Sequence, residues 1–197
     1  LSVTVSEMHW LVFEKLRDIV LQGEAACIHH RNGDRCFGVE ITLNDPMFLR
    51  ELDDATIGRV RETLVSCERT VHLPFYGLNL GCFDRWIADY SERTLVEGLD
   101  FCVKVGSLRA VTHTTVPAYL GEDAYEKWRD RFLERMVRLE MQAIERGVML
   151  VWENTYERDF ALFEAMIARH PAVSFCLDVG HVNCFAKRPV ADFVAHL

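Results

Sequence analysis

Acidic and imidazole side chains recur where apolar segments of this sequence end. Glu153 directly follows the apolar run 148–152. Asp178 follows the apolar run 173–177, and His181 comes three residues after it. A carboxylate at the end of a buried strand must be paired, bind a metal or face a wet cleft. Carboxylate oxygens and imidazole nitrogens together suit a divalent cation such as Mn²⁺, Zn²⁺, Co²⁺ or Mg²⁺. The pattern therefore predicts a divalent-cation site.

Three earlier positions, Glu40, His72 and His113, have the same placement at the ends of apolar segments. Each of these signals also has an ordinary structural interpretation. A histidine at a strand end is often a partly buried hydrogen-bonding residue, and Glu153 could be turned outward to solvent. Asp178 could simply cap the amino terminus of a helix. At the level of sequence, the metal-site interpretation and the structural interpretation of these residues both stay open.

The elements that would position these side chains form a repeat. A short apolar, β-branched run is followed by a segment with apolar residues three and four apart, which is typical of a strand and a helix. Six predicted strands cover residues 1–5, 37–42, 69–73, 108–113, 148–152 and 173–177; a first helix begins at Ser6 and a sixth covers residues 188–197. Alternating strands and helices predict an α/β fold with a parallel sheet, open or closed into a (β/α) TIM barrel. In a barrel the carboxyl ends of all strands meet on one face.

One segment allows a second interpretation. Residues 26–30 and 35–41 could pair as a β-hairpin closed by Asn32-Gly33, a favoured two-residue turn. The chain has 197 residues, whereas a complete barrel needs eight units and about 250 residues. We therefore expect one TIM-barrel domain over residues 1–197 that holds six of the eight units.

Composition narrows the class of function. Half of the residues are hydrophobic, and 30 acidic residues against 22 basic ones give a net charge of -8. No basic run is present to bind a nucleic-acid backbone, so a small-molecule partner is favoured and a nucleic acid is not. No apolar stretch is long enough for a membrane span. Seven cysteines without C-x-x-C spacing predict a reduced, cytoplasmic protein. The sequence leaves open whether the protein forms a homo-oligomer.

Four stretches carry a resemblance to a known superfamily. They are VHLP at 71–74, VTH at 111–113, AIERGVMLVWEN at 143–154 and CLDVGHVN at 176–183. In this order they resemble the xylose isomerase-like TIM barrels, which include sugar isomerases and epimerases and endonuclease IV. The last two stretches are the most specific.

The resemblance implies roles for individual residues. In the isomerases the residues matching Glu153 and Asp178 bind the divalent metal, and the one matching His181 contacts substrate oxygens. We therefore expect Glu153, Asp178 and His181 as metal ligands, with Glu153 and His181 also catalytic. The endonuclease branch uses the residues matching His72 and His113 as further metal ligands, within a three-zinc cluster. Expected substrate contacts are His72, His113, Glu40 and Trp152.

Three functions remain after these considerations. The first is a metal-dependent isomerase or epimerase that removes a proton next to the carbonyl of a sugar, keto-sugar or polyol. The second is an abasic-site phosphodiesterase like endonuclease IV, and the third is a non-catalytic barrel used for binding. Family members complete the site with a histidine and a glutamate from the seventh and eighth strands, and the six predicted units end before either of these strands.

Overall fold

A computed structural model describes residues 2–5, 29–31, 34–36, 38–65 and 67–196 of the chain. The helix predicted to begin at Ser6 lies outside these described residues, as do Asn32 and Gly33 of the predicted hairpin turn. No helix within the described ranges is long and apolar enough to cross a membrane.

Six parallel strands form the central sheet. The described residues form eight strands, of which β2 and β3 make a separate pair. In chain order the strands are β1 (Ser2–Val5), β2 (His29–Arg31), β3 (Asp34–Cys36), β4 (Gly38–Thr42), β5 (Glu68–His72), β6 (Arg109–His113), β7 (Met149–Glu153) and β8 (Ser174–Cys176). The sheet order is β1-β4-β5-β6-β7-β8, so each strand of the sheet pairs with the next sheet strand along the chain. This order is that of a TIM barrel with six of its strands present, and it confirms the predicted fold class.

The segment with two interpretations contains both a hairpin and a sheet strand. β2 and β3 pair antiparallel, with His29 opposite Cys36. β4 starts at Gly38 and pairs parallel with β1 and β5. The prediction that residues 35–41 could form one hairpin strand was therefore wrong, because this stretch is divided between β3 and β4.

Helices follow β4, β5, β6, β7 and β8 in the described part of the chain. They are α1 (Pro46–Glu51), α2 (Asp54–Thr63), α3 (Arg85–Val105), α4 (Glu122–Glu145), α5 (Ala161–Arg169), α6 (Val179–Phe185) and α7 (Val190–His196). Asp53 and Asp84 cap α2 and α3, because their carboxylates accept hydrogen bonds from backbone N–H groups of the first turn. Gly106 and Gly147 follow α3 and α4 in the left-handed conformation that ends many helices.

Alternation along the strands divides the side chains between two faces. On β7, Leu150 and Trp152 are buried in the core cluster with α4, and the Trp152 indole makes an edge contact with Phe132 of that helix. Side chains on a strand point alternately to opposite faces. Val151 and Glu153 therefore point to the interior face of the curved sheet, where the candidate site lies.

The loop after β5 packs closely on α4. A Cβ placed on Gly81 would lie 2.5 Å from Nε1 of Trp128, which is too close for any side chain. The same Nε1 donates a hydrogen bond to Oδ1 of Asn79 at 2.8 Å. This contact holds the loop onto the helix and leaves room only for glycine.

Candidate metal centre

The register of the sheet brings the polar strand ends together. His113 on β6 lies directly opposite Glu153 on β7, and His72 ends the neighbouring strand β5. Asp178 follows β8 and His181 lies in the first turn of α6. Because parallel strands end at the same edge, residues far apart in sequence surround one place.

Glu153 is the centre of this arrangement. Its Oε2 lies 3.6 Å from Nε2 of His72, and its Oε1 lies 3.5 Å from Nε2 of His113. The same Oε1 is 3.7 Å from Nδ1 of His181, which is in turn 3.7 Å from Oδ2 of Asp178. Two groups of three donors result, His72 with His113 and Glu153, and Glu153 with Asp178 and His181.

The first group fits a divalent cation. Nδ1 of His72 lies 3.0 Å from the carbonyl oxygen of Leu73, and because a carbonyl can only accept, Nδ1 carries the proton. Nε2 of a neutral His72 therefore presents a lone pair to the Glu153 carboxylate. Two ligands of a tetrahedral ion with bonds of about 2.1 Å lie about 3.4 Å apart. The separations around Glu153 are close to this value and longer than an ordinary hydrogen bond.

The second group fits less directly. Nδ1 of His181 lies 2.8 Å from the carbonyl oxygen of Asn154, so this nitrogen is a donor and cannot also bind a metal. The His181 nitrogen nearest to the carboxylates is thus already used in a hydrogen bond to the backbone. Nε2 of His181 remains for an ion or for a substrate oxygen, and the hydrogen bond at Nδ1 sets the orientation of the ring.

Electrostatics keeps Glu153 charged. Its carboxylate is only 12% exposed, and burial alone would raise its pKa, but interactions with His113 and His72 lower the pKa to about 2. For His72, burial lowers the pKa, but the interactions with Glu153, with the Leu73 carbonyl and with Glu40 together outweigh burial, so the pKa is raised. Burial raises the pKa of Glu40, with a further contribution from Glu153 and an opposing one from His72. Glu40 therefore lies within electrostatic range of the same cluster.

Asp178 also has the structural role that the sequence allowed. Its Oδ1 accepts a hydrogen bond from the backbone N–H of His181 at 2.7 Å and caps α6. Its other oxygen, Oδ2, is the one that faces the imidazole. Capping therefore uses one oxygen and leaves the second available.

Trp152 does not belong to the cluster. Its side chain is fully buried, and its Nε1 donates a hydrogen bond to Oε1 of Glu140 on α4 at 2.7 Å. It lies on the helix side of the sheet, because consecutive strand residues alternate. This position argues against the expected substrate contact. The apolar side of the site is formed by Phe75, whose ring lies 5.1 Å from that of His72 and 4.5 Å from that of His113.

Sequence reasoning did not identify Asn154 as part of the site. This side chain is 3% exposed; its Nδ2 donates to the carbonyl of Asp178 at 3.0 Å, and its Oδ1 accepts from the N–H of Asp178 at 2.7 Å. Its own carbonyl orients His181. An amide directly after the Glu153 strand end was the available signal, since a side-chain amide can both donate to and accept from a backbone.

A buried carboxyl group beside the site was also missed. Glu157 is 6% exposed, and it accepts hydrogen bonds from the Thr114 hydroxyl and from the backbone N–H of Thr155. Burial raises the pKa of Glu157, and these hydrogen bonds oppose the shift. Nothing in the local sequence signals this burial, which results from two loops meeting.

Comparisons with known proteins identify relatives of this fold. The family model described as xylose isomerase-like TIM barrel matches residues 32–196, and no curated protein matches the chain. Among solved structures, the TTHB071 protein from Thermus thermophilus, soaked with ZnCl2, is 26% identical; the alignment covers 99% of this chain and 72% of that one, with a TM-score of 0.78.

Two sugar epimerases share the fold at lower identity. An L-ribulose 3-epimerase is 14% identical, with 93% of this chain and 62% of that one covered and a TM-score of 0.68. The 3-keto-D-glucoside 4-epimerase YcjR from E. coli is 15% identical, with 99% and 73% covered and a TM-score of 0.68. The chain thus spans less than two thirds of the first of these enzymes. At such identities the likeness establishes the fold.

Proposed function

We propose that this chain, which belongs to the xylose isomerase-like TIM barrel family, is the greater part of a metal-dependent isomerase or epimerase acting on a sugar, keto-sugar or polyol. The observation that carries the proposal is the placement of one partly buried carboxylate, Glu153, between the imidazoles of His72 and His113 at the carboxyl edge of the sheet. The sugar epimerases that share the fold support the class of reaction.

The groups that would hold the cation are Glu153, Asp178, His72, His113 and Nε2 of His181. A divalent cation bound there would polarise a substrate carbonyl and the neighbouring hydroxyl. Phe75 would exclude water from one side of the site. Mn²⁺, Zn²⁺, Co²⁺ and Mg²⁺ all accept nitrogen or oxygen ligands of these types.

Glu153 is also the proposed acceptor of the proton from the carbon next to the carbonyl. A carboxylate with a pKa of about 2 is charged at neutral pH, which suits a ligand better than a base. His181 would contact substrate oxygens, and Glu40 would face the substrate from β4.

The experiment is proton exchange in D₂O. The protein is loaded with Mn²⁺ and incubated with D-fructose, and deuterium entering the carbons next to the ketone is followed by NMR. The change Glu153→Gln keeps the shape of the side chain, removes the base and should slow exchange at least about a hundredfold. Glu145→Gln is the control, because Glu145 is exposed on α4. Exchange at the wild-type rate in Glu153→Gln would exclude Glu153 as the base.

One observation favours a second candidate function, phosphodiester hydrolysis of the endonuclease IV type. The two donor groups share Glu153, an arrangement in which one carboxylate can bridge neighbouring ions, and paired metals serve in-line displacement at phosphorus. The net charge of -8 opposes binding to a nucleic acid. Elemental analysis separates the candidates: one ion per chain supports the isomerase, and two or three support the hydrolase. A folded chain that retains no metal would favour a non-catalytic binding role.

A further inference from the structure

A cavity of 240 Å³ lies between the loops that follow β6 and β7. Tyr125 and Tyr156 contribute aromatic walls, and the backbone segment around Ala118 forms another side. None of the residues grouped around Glu153 lines this cavity. At about 30 Å³ per water molecule, its volume corresponds to about eight waters, which is room for one monosaccharide ring.

Hydrogen bonds hold the walls of the cavity in place. Glu157, which lines the cavity, ties the loop after β6 to the loop after β7 by accepting from Thr114 and from Thr155. Arg158 adds a second tie, because its Nη2 donates to the carbonyl of Ala118 at 3.3 Å. Thr115 has a φ of 58°, a strained conformation for a β-branched residue, and such strain is concentrated at ligand sites. The cavity is therefore preformed.

A row of aromatic ring contacts links this cavity to the candidate metal centre. The Tyr156 ring makes an edge contact with the Phe185 ring at 4.7 Å, and Phe185 lies 6.0 Å from the ring of His181. Thr114 directly follows His113, and Thr155 follows Glu153 by two positions. Because Tyr156 and Phe185 are both exposed, a ligand held at the metal centre could lie along these rings into the cavity.

The charges lining the cavity indicate the chemistry of the ligand. Glu122, Glu157 and Asp159 supply carboxyl groups, while Arg158 and Lys187 supply positive charge. Three acids disfavour a phosphate group, and two bases disfavour a cation. Donors and acceptors of both kinds beside tyrosine rings suit an uncharged ring with many hydroxyl groups, which stacks on the aromatic face and hydrogen-bonds at its edge.

We propose that this cavity is a second sugar-binding subsite, which takes the non-reacting ring of a glycoside or disaccharide whose other ring is processed at the metal centre. The inference rests on the proposed isomerase or epimerase function and narrows its substrate class. Binding energy from the remote ring is used to position the reacting one. Substrates with two rings should therefore be converted faster than the corresponding single ring.

The test compares D-fructose, with one ring, and isomaltulose, in which a glucose ring is attached to the same ketose. Deuterium exchange next to the ketone is measured for both sugars with the Mn²⁺-loaded chain, and D-fructose 6-phosphate serves as the charged probe. We expect kcat/KM for isomaltulose to exceed that for D-fructose about tenfold or more, and no preference for the phosphate.

Ala118→Phe fills the cavity from an exposed position, so it should remove the preference for isomaltulose and leave D-fructose exchange within about twofold of wild type. Tyr156→Ala should also reduce the preference for isomaltulose, because it removes an aromatic wall without filling the cavity. Ala55→Phe is the matched control, since Ala55 is exposed on α2, and it should change neither sugar. Circular dichroism verifies that each variant is folded.

Equal constants for the two sugars in the wild-type chain would overturn the inference, as would a preference for D-fructose 6-phosphate. So would a preference for isomaltulose that survives Ala118→Phe, or a loss of D-fructose exchange as large as the loss for isomaltulose. Absence of exchange with every sugar is a different result, because it overturns the proposed function and the inference together.

Discussion

Replacing Asn154 with leucine should weaken both the fold and the metal centre. The change removes the two hydrogen bonds that the side-chain amide makes with the backbone of Asp178 and keeps a similar volume. An unsatisfied buried polar group costs about 1–3 kcal/mol. Two such groups are created here, but the Asp178 side chain is 37% exposed, so water can reach part of this region. We expect a loss of about 2–4 kcal/mol in the free energy of unfolding.

Urea denaturation measures the first effect. With an m-value of about 2 kcal/mol per molar urea, the midpoint should fall by about 1–2 M at unchanged m. Calorimetric titration with Mn²⁺ measures the second effect, and the affinity should fall about tenfold to a hundredfold, as is typical when groups that orient ligands are lost. The control is Asn183→Leu, because Asn183 is exposed on α6.

The two measurements can disagree in an informative way. A lower urea midpoint with unchanged Mn²⁺ affinity would show that the amide stabilises the fold without positioning Asp178 and His181. An unchanged midpoint together with unchanged affinity would refute the reasoning altogether, since neither backbone group would then need its partner.

Further predictions concern one ligand, one buried acid and one close contact. Asp178→Asn preserves helix capping, since asparagine caps as well as aspartate, and should lower Mn²⁺ affinity at least about tenfold; an unchanged titration would contradict the ligand role. Burial raises the pKa of Glu140, against the hydrogen bond from Trp152, so the folded state holds this proton more tightly than the unfolded state does, and stability is lost as pH rises from the ordinary value through the raised one. Glu140→Gln keeps an acceptor for the indole. Between about pH 4 and pH 7, the free energy of unfolding of this variant should fall less than that of wild type. If urea denaturation gives the same pH dependence for both proteins across this range, burial is not the cause. Gly81→Ala should destabilise the chain by about 1–3 kcal/mol through overpacking. Gly58→Ala, in a helix with open space around it, should stabilise the chain by about 0.5–1 kcal/mol. Thermal midpoints equal to that of wild type would contradict both expectations.

Much of the fold could be predicted because it is encoded locally. Strand and helix periodicities predicted all six strands of the parallel sheet to within one or two residues in the described part of the chain, and Gly147 marked the end of α4. The hairpin region was ambiguous for a physical reason. Phe37, Val39 and Ile41 favour a strand anywhere in residues 35–41, and only the pairing with β1 and β5, which begins at Gly38, separates β4 from the hairpin.

The candidate site was predictable in its composition and less so in its geometry. His72, His113 and Glu153 could be placed at strand ends, and parallel strands end at one edge. Glu40 was also expected at a strand end, but it lies in the middle of β4. Trp152 was expected to contact the substrate, whereas a residue one position before the strand end points away from the interior. Strand alternation could have indicated this orientation, but the exact end of β7 had to be known first.

The linear order of apolar and ionisable residues determined the class of fold and the elements that carry the polar groups. Periodicity acts between near neighbours, so it is visible without the folded chain. Tertiary structure alone decided which nitrogen of His181 is committed to a backbone carbonyl, which backbone groups Asn154 satisfies, and that Glu157 is buried beside a cavity. Hydrogen bonding and burial depend on groups brought together from distant positions, and no local pattern specifies them.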